Sequence, residues 1–83
     1  METVFVIYYQ DGKFYKQERI KKNFLRERRA FEKEVGFTIM VNANMPEDHK
    51  IREMQKLIKE INIDHNFKKI MKFIDLRMNY ECL

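Results

Sequence analysis

The chain has 83 residues, 45% of them hydrophobic, with two glycines, one proline and 17 Lys and Arg against 13 Asp and Glu, for a formal net charge of +4. That length bounds it to one small basic domain over residues 1–83, with a core near the lower limit of what folds without disulfides or metal, and the composition excludes a disordered tail. No run approaches the ~20 apolar residues of a membrane span, and the lone Cys82 excludes an internal disulfide and fits a reducing compartment.

Taken in order, Thr3 to Gln10 is β-branched and aromatic at both alternating sets of positions, so it reads as a central strand covered on both faces. The same run is too short and lacks the basic leader of a signal peptide, which makes a cytoplasm the expected location. Asp11-Gly12 is a two-residue hairpin signal, because a type I′ turn needs positive φ at both positions. A second, charged strand is expected from Lys13 to Gln17, at a sheet edge.

A basic helix is expected from about Glu18 to Val35, closed by Gly36. On it Arg19, Lys22, Arg26, Arg29 and Lys33 recur at steps of three and four and so share one face, opposite Ile20, Phe24, Phe31 and Val35. The run Lys13 to Lys33 holds nine cations and three carboxylates, a local +6, so the positive field belongs to this part of the chain. No carboxylate interrupts the stripe, and three of its five cations are arginines, whose planar fork grips phosphate bidentately and stacks on bases.

Phe37 to Ala43 alternates as a half-buried strand, with Thr38, Met40 and Asn42 on the more polar side. Pro46 suits the first turn of a second helix running to about Ile61, with an apolar stripe at Ile51, Met54, Leu57, Ile58 and Ile61 and a shorter basic one at Arg52, Lys56 and Lys59. Asn62 or Asp64 is expected to cap a third helix, from Asp64 to about Tyr80, whose Phe73 and Leu76 fall off its core stripe and suggest a homodimer contact, docking into a groove on the same molecule, or a helix wedged between two others. The expected fold is α+β: a three-stranded antiparallel sheet in the order 2-1-3 and three helices packed mainly on one face, in the sequence ββαβαα.

Catalytic signals are weak. His49 and His65 lack partners at metal-ligand spacing, and no glycine-rich phosphate loop or nucleophile elbow occurs, so no metal and no cofactor are expected. Ile7-Tyr8-Tyr9, Gly12, Phe14-Tyr15 and a basic helix with Arg26 loosely resemble the opening of a GIY-YIG nuclease domain. Lys16 replaces the second motif's glycine and no catalytic glutamate follows, so a nuclease is not assigned.

The expectation is therefore a non-enzymatic binder of nucleic acid, RNA before DNA, acting as a regulator or inhibitor through Arg19, Lys22, Arg26, Arg29 and Lys33. Arg52, Lys56 and Lys59 would add contacts, and Tyr15 would stack on unpaired bases. The alternative is an inhibitor that docks the same helix on an acidic protein surface. The wealth of Lys, Ile, Asn, Phe, Met and Tyr fits an A/T-rich coding sequence such as that of many phages, in which case the site of action would be the host cytoplasm.

Overall fold

The computed structural model describes residues 1–62. They form β1 (Thr3–Gln10), β2 (Lys13–Ile20), α1 (Lys21–Val35), β3 (Thr38–Val41) and α2 (Glu47–Ile61), an α+β arrangement in which the antiparallel sheet has the order β2-β1-β3. The third helix expected from Asp64, and with it Phe73 and Leu76, lies outside the described residues.

The hairpin turns as its sequence dictates. Asp11 and Gly12 have φ of 53° and 80°, and Gln10 faces Lys13 across the two-residue turn. From there the ladder continues without a break to Thr3 opposite Ile20. This overturns the expected boundary between β2 and the helix, because Glu18, Arg19 and Ile20 belong to the strand. Each residue added to a hairpin opposite an existing strand gains ladder bonds and cross-strand contacts, and eight residues of β1 were available to pair. That outweighs the helical phase of three residues at the end of a run.

Both faces of β1 are buried, but the helices are divided between them, and this corrects the expectation of one helical layer. Val4 and Val6 meet Phe24 of α1, with Phe31 and Met40 packed against them. Phe5 and Ile7 point the other way, into a cluster with Phe14, Ile39, Val41 and Met54 and Leu57 of α2. Strand alternation demands this division, since a strand apolar on both sets of positions leaves one face wet unless each has its own cover. The sheet is thus the middle layer of three.

Thr38 was expected on the polar side of β3, yet it is completely buried, because α1 covers that side. Its amide donates to Glu32 Oε2 at 2.9 Å, its carbonyl accepts from Arg28 Nη2 at 2.8 Å, and its hydroxyl meets both side chains. In an antiparallel strand the amide and carbonyl of one residue point to the same side. At Thr38 they point away from β1, where a fourth strand would pair, and α1 side chains fill that place.

Helix ends follow their local chemistry. Gly36 (φ 88°) closes α1 by donating its N–H to the Glu32 carbonyl, and Asn62 in the left-handed region (φ 53°) closes α2 on Ile58. Asn62 therefore ends α2, and the helix that it or Asp64 was expected to cap lies outside the described residues. Pro46 lies just before the first turn of α2, with Glu47 and Asp48 at the positive end of its dipole.

Candidate nucleic-acid interface

With α1 laid on the sheet through Phe24 and Phe31, the helical phase fixes what faces outward. Lys22, Arg26, Arg29 and Lys33 fall within an arc of about 60° on the crest, at ~100° per residue, and all four are exposed. From Lys22 to Lys33 the rise is eleven steps, about 16 Å at ~1.5 Å each. Lys22, Arg29 and Lys33 have no ion-pair partner among the described residues. Arg26 lies 4.0 Å from Glu27, whose other oxygen is held by Arg19 at 2.7 Å. The first turn of α1 carries no carboxylate and no side-chain cap, so the positive end of its dipole adds to the field at Lys22.

Arg19 is not part of this crest. It stands on β2, on the sheet face that α1 covers, with its guanidinium 5.5 Å from the Phe24 ring and 5.4 Å from the Phe31 ring. Together with the Glu27 ion pair, these contacts make it a packing residue that holds α1 against β2. Periodicity placed it on the stripe only because the helix was expected to begin three residues early.

Sequence reasoning passed over Arg28, which lies between crest positions in sequence but about 100° away around the helix. Its guanidinium clamps Thr38, stacks 5.6 Å from Phe24 and pairs with Glu32 at 3.6 Å. The signal that could have found it is Arg28 and Glu32 at i, i+4 with a β-branched polar residue six positions on. That pattern is too common to stand alone.

The other expected contacts are separated from the crest. Arg52, Lys56 and Lys59 are exposed on α2, on the opposite side of the sheet from α1. Arg52 pairs with Asp48 at 3.7 Å and Lys56 with Glu53 at 2.7 Å, so that stripe is partly neutralised. Tyr15 is half-buried on the α1 side, stacked on Tyr8 with centroids 5.2 Å apart and planes 16° apart. Glu27 reaches toward β2 between the crest and this edge of the sheet.

Leu25, on the flank of α1 nearer β3, is 51% exposed and borders two open depressions, one lined also by Arg29, Lys33 and Glu32 and the other by Lys22, Arg26 and Glu2. Among the described residues no group of three or more His, Cys, Asp or Glu side chains gathers to hold a metal, and no helix is long and apolar enough to cross a membrane.

Compared with family models, curated proteins and solved structures, the chain matches none.

Proposed function

We propose that the protein is a non-enzymatic nucleic-acid-binding module that grips phosphates with Lys22, Arg26, Arg29 and Lys33. The observation that carries the reading is the crest itself: four exposed cations along about 16 Å of one rigid helix, three of them without an ion-pair partner among the described residues. A solvated face evolved only for solubility commonly interleaves carboxylates at i, i+4, whereas Glu27, Glu32 and Glu34 of α1 all lie off the crest, Glu27 held on Arg19 and Glu32 on Thr38. Each cation that meets a phosphate releases a condensed counterion, which makes affinity fall with salt and gives little sequence preference. A small regulator or inhibitor of a nucleic-acid-dependent process would work in this way, by occupying the backbone.

Four cations set the expected slope of log K against log salt at about −2.8 to −3.6, from ~0.7 to 0.9 per phosphate. Fluorescence anisotropy of a labelled oligonucleotide across a salt series measures it. Arg26→Glu with Arg29→Glu should abolish salt-sensitive binding while the far-ultraviolet circular dichroism stays that of wild type. Unchanged binding by this double variant would remove the crest from the interface.

Exposed Leu25 favours a second reading, in which the same crest docks on an acidic protein surface and Leu25 fills an apolar pocket at its centre. Under that reading Leu25→Ser weakens binding as much as charge reversal does, whereas phosphate contact is indifferent to it.

A further inference from the structure

We infer that the ligand of the α1 crest is a double helix gripped along one phosphate row, and not an unpaired strand held by its bases; this rests on the nucleic-acid reading above. Proteins that bind single strands combine a cationic track with aromatic rings on which successive bases stack, and a small sheet commonly supplies the platform. Here α1 and α2 cover the two faces of the sheet. Tyr8, Phe14 and Phe24 are buried, Tyr15 lies flat against Tyr8, and the Phe31 ring lies under the Arg19 guanidinium. Among the described aromatic residues only Phe37 is exposed, at 37%, and a single ring past the end of α1 cannot serve successive bases.

Charge points the same way. A strand touching both the crest and Tyr15 would have to cross the Glu27 side of α1, where the Arg19 guanidinium is held in the Glu27 ion pair and is not left to meet a phosphate. A ligand confined to the crest meets Lys22, Arg29 and Lys33, which have no ion-pair partner among the described residues, and Arg26, which lies 4.0 Å from Glu27. A duplex satisfies that confinement, because each of its strands presents a continuous row of phosphates on the outside of the helix that a straight crest can meet without touching a base. It is also stiff over ~50 nm, so its phosphates stand in a fixed array against a rigid helix and little freedom is lost on contact. A flexible single strand would have to be ordered with no platform of exposed rings among the described residues to stack on in return.

The test compares a labelled duplex DNA of about 20 base pairs, a second duplex of unrelated sequence, a duplex RNA and an oligo(dT) of equal length, all with the full chain at one low salt concentration. Both DNA duplexes should bind within about threefold of each other and at least about tenfold more tightly than oligo(dT). Tyr15→Leu and Phe37→Leu should leave every affinity unchanged, and the ranking by wild type decides the matter should either variant fold poorly. Oligo(dT) binding as tightly as the duplexes, or weakened by loss of either ring, overturns the inference. If Arg26→Glu with Arg29→Glu still abolishes binding in that case, the nucleic-acid reading stands and only the duplex assignment falls. Binding that survives the charge reversal, or no binding to any of the four ligands, overturns both.

Discussion

Arg28 and Arg29 are neighbours in sequence with opposite work to do, and replacing each by alanine separates folding from binding. Arg28→Ala removes two hydrogen bonds from a charged donor to Thr38, one to its hydroxyl at 3.2 Å and one to its carbonyl at 2.8 Å. Hydrogen bonds to charged groups contribute ~1.5–3 kcal/mol, and a buried carbonyl left unpaired costs ~1–3 kcal/mol. The two figures describe one event in part, and the Arg28 side chain is 30% exposed, so water reaches some of the vacated site. We therefore expect a loss of about 2 kcal/mol, which at ~4–8 °C per kcal/mol for a domain this size lowers Tm by about 8–16 °C. Arg29 is exposed and has no ion-pair partner among the described residues, so Arg29→Ala should hold stability within ~0.5 kcal/mol of wild type. Its effect belongs to binding, where one cation fewer flattens the salt slope by ~0.7–0.9. Thermal denaturation followed by circular dichroism, beside anisotropy across a salt series, reads both quantities. Equal Tm values for the two variants would refute the clamp at Thr38; a steeper loss of binding in Arg28→Ala than in Arg29→Ala, both measured well below Tm, would refute the division between crest and flank.

Other expectations follow from the same geometry. Arg19→Ala should destabilise the protein by about 1–2 kcal/mol, through two cation–π contacts of ~0.5–1 kcal/mol and a half-exposed ion pair worth less, and leave the salt slope unchanged; a flattened slope would return Arg19 to the interface. Neutralising α2 with Arg52→Gln, Lys56→Gln and Lys59→Gln should move the slope by less than ~0.5, because those side chains face away from the α1 crest. A change approaching that of the Arg26 and Arg29 double variant in anisotropy would mean that both sides of the sheet touch the ligand. Gly12→Ala should cost about 1 kcal/mol or more in chemical denaturation, since φ of 80° strains any side chain although the space around it is open. No loss there would mean that the turn relaxes to another type.

What the amino-acid sequence determined by itself is everything set by short-range pattern. Asp11-Gly12 specified the turn through its positive φ, the two-faced apolar run of Thr3–Gln10 specified a central strand, and Gly36 specified where α1 ends. The spacing of Lys22, Arg26, Arg29 and Lys33 likewise made one cationic ridge legible, since their phase depends only on the helix that carries them. Tertiary structure decided the rest. Pairing with the whole length of β1 drew Glu18, Arg19 and Ile20 into β2 and turned an expected contact residue into a packing residue, because ladder bonds between distant residues outweigh local phase. The division of the helices between two sheet faces buried Thr38, covered the aromatic surface and set the α2 cations apart from those of α1. Which face a helix covers is settled by the connection and by the area left to bury, and neither is written in the periodicity of the helix itself.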